Sequence, residues 1–224
     1  MLLSLPKLLT TAQLERIDQI LAHANFQDGK LTAGMAARQV KSNLEMKAER
    51  QPMEGLIRVI MGALANHQTF NSAALPQRMA DPIVARYTPG MSYGDHVDDP
   101  IMGQSGLRFR SDLSMTLFLR NPDTYTGGDL VIRTTYGEQR VKLCAGDAVI
   151  YPSTTLHRVD PVTAGERVVV LFWIQSHIRD AARRELLYEL NRARETLLKA
   201  DAQAEPAQQV DRCYANLMRM WAEV

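Results

Sequence analysis

The sequence predicts a mainly β protein with flanking helices. Its core (residues 78–178) reads as a sandwich or barrel-like jelly roll, set between a largely helical N-terminal region (1–77) and a helical C-terminal extension (179–224). Three observations carry this. In the central span the chain breaks into short runs rich in Val, Ile, Thr, Tyr and Phe, each bounded by Gly, Pro, Asn or Asp, which is how strands and their turns are written. On either side, apolar residues recur at three- and four-residue steps, the helical period. With 224 residues and 46% apolar composition, the chain can bury one sizeable core.

Taken in order, "TTAQLERIDQILAHA" sets Leu14, Ile17 and Leu21 on one helical face behind threonines suited to capping. "DGK" at 28–30 is a turn, and "ARQVK" has the makings of a short strand. "MEGLIRVIMGALANHQTF" predicts a second helix that "NSAALPQ" interrupts. The strand texture then begins: "PIVARYT", "SMTLFL", "GDLVIRT", "EQRVKL", "DAVIYP", "LHRVDPV" and "ERVVVLFWI", separated by "TPG", "NPDTYTGG", "TYGE", "CAGD" and "TAGE". "ERVVVLFWI" is apolar on both faces, as a strand covered from both sides must be. After Gln175, Leu186, Leu190, Ala193 and Leu197 mark one helical face. Beyond "DAQAEPAQQ", Val210, Cys213, Leu217 and Trp221 mark another. These narrow stripes predict packing on the barrel and on a second subunit, giving a homo-oligomer.

Composition narrows the function. Lys plus Arg total 26 against 25 for Asp plus Glu, a net charge of +1 that calls for neither nucleic acid nor an acidic membrane. The late basic cluster is interleaved with acids and reads as a solvated helix face. Cys144 and Cys213 form no CxxC pair, which argues against a disulfide framework or a cysteine zinc site and fits a reducing cytoplasm. Pro6 and Lys7 interrupt the apolar start, so no cleaved leader is expected, and no apolar run approaches the ~20 residues of a membrane helix.

The chemistry concentrates in "YGDHVDDP", residues 93–100. On an extended strand His96 and Asp98 project to one face, while Asp95 and Asp99 project to the other. His23 and His67 fall in helical stretches and His177 at a helix start. His157 differs: it opens a late strand that an antiparallel jelly roll can return beside an early one. His96, Asp98 and His157 thus make a candidate two-histidine, one-carboxylate face. Such a face leaves positions open on an octahedral ion, the pattern of non-haem Fe(II) oxygenases. Ten residues past His157, Arg167 begins a strand face continued by Val169, Leu171 and Trp173. A cation there is costly to bury without an anion, and its rigid fork suits a carboxylate.

In combination, "YGDHVDDP", "TGGDLVI" and "GDAVIYPSTTLHRVDPVTAGERVVVLFW" resemble the 2-oxoglutarate-dependent dioxygenases of the prolyl/lysyl-hydroxylase-domain type. The whole chain resembles the bacterial members of about this length associated with iron uptake. That resemblance implies a double-stranded β-helix (jelly-roll) core, Fe(II) on His96, Asp98 and His157, the distal carboxylate of 2-oxoglutarate on Arg167, and a cosubstrate contact from Tyr87. A position that supplies a second tyrosine in some relatives is Phe118 here. It also implies L-ascorbate as a further cofactor, and hydroxylation of a peptidyl or small-molecule substrate with O2, releasing succinate and CO2. Gly127, Gly128 and Asp129 read as structural. Arg108, Arg110 and Asp112 are candidates for the substrate entrance or for an exposed loop. Two rival readings remain at this point: a zinc-dependent isomerase or hydrolase on the same three ligands, which leaves Arg167 unexplained, and a non-catalytic β-barrel binding module.

Overall fold

The computed structural model describes residues 1–103 and 106–224. The chain runs β1 (Leu3–Leu5), α1 (Thr11–Leu21), β2 (Phe26–Asp28), a 3-10 turn (Gly29–Thr32), α2 (Ala37–Val40), β3 (Lys41–Ser42) and β4 (Leu44–Met46). Then come α3 (Arg50–Ala65), α4 (Gln68–Ala74), β5 (Pro76–Met79), β6 (Ile83–Tyr87), β7 (Ser92–His96), β8 (Ile101–Met102), β9 (Phe109–Arg110) and β10 (Leu113–Phe118). The remaining elements are β11 (Tyr125–Gly127), β12 (Leu130–Thr134), β13 (Gly137–Val141), β14 (Ala148–Pro152), β15 (His157–Val159), β16 (Val162–Gly165), β17 (Arg167–Ser176), α5 (Ala181–Ala200) and α6 (Glu205–Trp221).

Two sheets form the barrel. The major sheet orders β1-β14-β10-β17-β6-β4-β2, with β5 also on β17; the minor sheet orders β13-β12-β15-β7-β3. Their pairings are antiparallel. Strand alternation explains why β17 is apolar throughout. Val168, Val170, Phe172 and Ile174 join the core beneath α1, α3 and α4. Val169 joins the inter-sheet core with Ala85, Phe118, Ile132 and Val149. Arg167 lies on that inner side.

The N-terminal region differs from its predicted largely helical character. α1, α3 and α4 are present, but β1, β3 and β4 are threaded into the sheets against β14, β7 and β6. Each is only two or three residues long, too short to show a period. α1 is capped as expected: Thr10 and Gln13 form a reciprocal capping box. The second helix breaks at Asn66–His67, ahead of the predicted "NSAALPQ", because His67 Nδ1 accepts from Phe70 N (3.1 Å) and starts α4. At the other end, α5 buries Arg184, Leu187, Tyr188 and Asn191, one step round from the expected stripe. Leu187 meets Leu75 and Ile178, and Tyr214, Leu217, Met218 and Trp221 of α6 pack against that cluster. Cys213 is exposed. Among the described residues no helix is long and apolar enough to cross a membrane.

Candidate metal centre

β15 does return beside β7, and His157 stands directly opposite His96 in the register. β7 ends at His96, so Asp98 is not on the strand, yet its carboxylate still lies with the two histidines on the barrel side. One donor atom from each of His96, Asp98 and His157 lies within 4.8 Å of the others. Asp98 Oδ1 is 3.9 Å from the Nε2 of either histidine. His96 Nδ1 bonds the Gly94 carbonyl at 2.8 Å and His157 Nδ1 the Thr155 carbonyl at 2.9 Å. A carbonyl only accepts, so each Nδ1 carries the proton and each Nε2 turns a lone pair toward Asp98. Burial, followed by the neighbouring His157, lowers the His96 pKa to about 4, keeping the ring in its neutral, ligating form. Asp98 Oδ2 accepts from Ser114 Oγ at 2.5 Å, and Ser153 Oγ lies 2.8 Å beyond. The donor set of two imidazoles and one carboxylate suits a divalent first-row metal with positions left open.

The other acids of the segment have separate fates. Asp95 faces outward, as strand alternation requires, and pairs with Arg133 (2.7 Å) and Arg158 (3.8 Å). Asp99 is exposed and reaches the rim of the cavity, contrary to the opposite-face expectation, because the strand has already ended.

Arg167 opens β17 opposite Tyr87 and is 1% exposed. Among the described residues its Nε and Nη1 have no hydrogen-bond partner. Its guanidinium carbon lies 5.0 Å from the Tyr87 ring centroid and 5.6 Å from that of Phe118. A buried guanidinium with idle donors is a built site for an anion. Tyr87 is fully buried and its hydroxyl pKa is pushed up to about 12, chiefly by that burial, so it is a neutral donor. Gly128, at φ +67°, leaves room here: a Cβ would come within 3.1 Å of Arg167 Cδ and 3.3 Å of Tyr125 Cε2.

A cavity of about 340 Å³ joins the two ends. His96, Asp98 and His157 line it together with Arg167, Tyr87, Ser114, Thr116, Tyr151, Lys41, Leu171 and Trp173. Trp173 Nε1 is buried without a partner among the described residues. The exposed Val97 and Ile101 place the mouth beside the segment that follows β7. Sequence reasoning missed Ser114, Thr116, Tyr151 and Lys41. The signal for the first two was available: they are the alternating polar residues of an otherwise apolar strand, "LSMTLF". Arg110 pairs with Asp112 (2.6 Å) and Glu223 (2.8 Å), and Asp112 accepts from Ser176 N. These two tie the barrel to the C-terminal end. Arg108 is exposed and, like them, is not among the cavity-lining residues. Asp129 pairs with Arg140 at 3.1 Å, a structural role as expected.

Comparison with known proteins agrees with this geometry. The family model of the 2OG-Fe(II) oxygenase superfamily matches residues 82–175, and that of the PKHD-type hydroxylase C-terminal domain matches residues 180–223. A PKHD-type hydroxylase of Thioalkalivibrio sulfidiphilus is 50% identical over 224 residues, all of both chains. One of Synechococcus elongatus is 44% identical over 223 residues, again spanning both. Among solved structures, a Pseudomonas putida prolyl-4-hydroxylase superposes with a TM-score of 0.54 at 17% identity, covering 78% of this chain and 92% of that one. A 2OG-Fe(II) oxygenase family oxidoreductase from Burkholderia pseudomallei superposes at 0.57 with 16% identity, covering 77% and 84%. The structural matches bear on the fold, which is the predicted jelly roll with flanking helices.

Proposed function

This chain belongs to the PKHD-type hydroxylases, and from that premise we propose a role for each residue of its site. The protein is an Fe(II)- and 2-oxoglutarate-dependent dioxygenase. In this reading His96, Asp98 and His157 hold the iron, Arg167 takes the distal carboxylate of 2-oxoglutarate, and Tyr87 lines the same end. The observation that carries it is the convergence of three metal-competent donors in one cavity with a buried arginine whose donors are idle. A zinc hydrolase has no use for that arginine, and a binding module has no use for the metal set.

When bound, iron, 2-oxoglutarate and O2 supply oxidative decarboxylation to succinate and CO2 coupled to hydroxylation of a substrate C–H bond. The chain supplies position and surroundings. The backbone carbonyls of Gly94 and Thr155 fix both imidazole tautomers. Ser114 holds one Asp98 oxygen and leaves the other facing the histidines. Arg167 binds and aligns a carboxylate by parallel hydrogen bonds. Leu130, Val159 and Leu171 keep that stretch of the cavity dry. No side-chain general base is required.

The substrate we assign is a peptidyl or free amino acid, or a siderophore-like metabolite, entering beside Val97 and Ile101. To this reading belong L-ascorbate as a further cofactor, a cytoplasmic location and assembly through the C-terminal helices. The division at residues 77 and 178 is likewise kept as a proposal; the C-terminal family match at 180–223 agrees with its second boundary. The test is an anaerobic titration with iron and then 2-oxoglutarate. A charge-transfer band that needs both is the expected result, followed on aeration by succinate release and a one-oxygen mass gain in a screened substrate. Tight zinc binding with no such band would overturn the reading.

A further inference from the structure

The cavity wall carries an ion pair that the chemistry above does not use. Lys41 on β3 and Glu45 on β4 are 6% and 2% exposed, and their ion pair is 2.5 Å long. Thr32 closes the group, donating to Glu45 Oε2 (2.6 Å) and accepting from Lys41 Nζ (3.1 Å). For stability alone such a pair is a poor investment, because desolvating two charges offsets most of their attraction.

The pair reaches the metal centre through one intervening ring. Lys41 stands opposite Tyr93 in the β3–β7 register, and its ammonium lies over the Tyr93 ring, 5.2 Å from the centroid. Tyr93 in turn stacks on His96, with ring centroids 3.6 Å apart and planes 11° apart. The Gly94 carbonyl fixes which His96 nitrogen is protonated, while the stacked tyrosine restrains the ring face. His157 is held differently, meeting Tyr151 edge-on at 5.2 Å.

We propose that Lys41, clamped by Glu45 and Thr32, is a positioning residue for His96 and acts through the Tyr93 ring. The inference rests on the reading of His96, Asp98 and His157 as iron ligands. It gives the short N-terminal strand β3 a function, to brace a metal ligand more than fifty residues further along the chain. A cation attracts a ring face and limits its motion, and partners standing behind metal ligands are worth about 10- to 100-fold in metal affinity.

The test uses the full-length chain with Co(II) as the probe, reading affinity and geometry from the visible ligand-field band. Lys41→Met combined with Glu45→Gln removes both charges, so no lone charge is left buried. This double variant is expected to bind cobalt about 10-fold more weakly and with an altered band. Tyr93→Leu should lose at least as much, whereas Tyr93→Phe, which keeps the stack, should stay within about threefold of the parent. A folded double variant with parental affinity and band overturns the proposal, even if its melting temperature has dropped. If the double variant does not fold, Tyr93→Leu decides: parental cobalt binding there overturns the proposal equally. His157→Ala separates the two levels. Its loss of cobalt binding upholds the ligand reading whatever becomes of the clamp; parental binding in it sinks the ligand reading and the clamp with it.

Discussion

At the scale of single residues, neighbouring acids of one type have been given unrelated tasks. Asp98 turns an oxygen to both imidazoles, Asp95 zips the outer sheet face to Arg133 and Arg158, and Asp99 is exposed at the cavity rim. Asp98→Ala should therefore abolish iron binding while Asp99→Ala keeps most of it; equal iron content in both purified variants would refute the assignment. Arg167 is separable from the metal. Losing one partner of a desolvated charge pair costs on the order of 2–5 kcal/mol. Arg167→Ala should thus weaken 2-oxoglutarate by about 30-fold or more with iron content unchanged, and Arg167→Lys should fall between, since it keeps the charge without the paired hydrogen bonds. The charge-transfer band measures both. His96 sets a pH limit. Its folded pKa of about 4 lies below the ordinary 6.5, so the unfolded chain takes up a proton that the folded chain refuses. In metal-free protein this contribution is complete above pH ~6.5 and falls away toward pH ~4, at up to about 1.4 kcal/mol per unit. Denaturant midpoints that stay flat across that window would contradict it.

At the scale of elements, legibility followed length and alternation. β10, β14 and β17 are readable because five or more residues in a row, mostly apolar and buried on both faces, mark a covered strand. His157 could be placed beside His96 because a jelly roll pairs a late strand with an early one. β1, β3 and β4 were not readable: two or three residues show no period, and their pairing partners lie tens of residues away. Lys41 and Glu45 were invisible for the same reason, since a lysine and a glutamate four apart in a polar stretch look like surface. The α5 stripe expected from hydropathy, Leu186, Leu190, Ala193 and Leu197, differs from the face that packs inward, which includes Arg184 and Asn191. Arg184 there donates to the Ile178 carbonyl at 2.6 Å, a use that hydropathy cannot anticipate. The glycine pair was read correctly as geometry, and the structure adds a consequence. Gly127 and Gly128 both take positive φ, and the second also clears Arg167. Gly128→Ala should cost on the order of 1–3 kcal/mol of stability and weaken 2-oxoglutarate binding while sparing cobalt affinity. Parental affinity for 2-oxoglutarate in a folded Gly128→Ala protein would show that Arg167 tolerates the added methyl.

At the scale of the whole molecule, the C-terminal helices are fastened to the rest of the chain at several points. α6 lies against α5, and Glu223 binds Arg110 through its side chain and accepts from Gln77 Nε2 through its carbonyl. The inward face of α5 is thereby accounted for. The predicted stripe lies beside that face and is uneven: Leu186 is 55% exposed and Ala193 exposed, whereas Leu190 and Leu197 are half-buried. An exposed leucine on an amphipathic helix, with half-buried leucines beside it, is a place for a partner to dock. The expected state at micromolar concentration is therefore a homo-oligomer, heavier by light scattering than the 25.1 kDa chain. Leu186→Glu sets a charge on the most exposed leucine of the stripe without touching the barrel, and should return the protein to a single chain with its iron and 2-oxoglutarate affinities intact. A parent that scatters only as 25.1 kDa would remove the oligomer; an oligomer that survives Leu186→Glu unchanged would move the interface off α5.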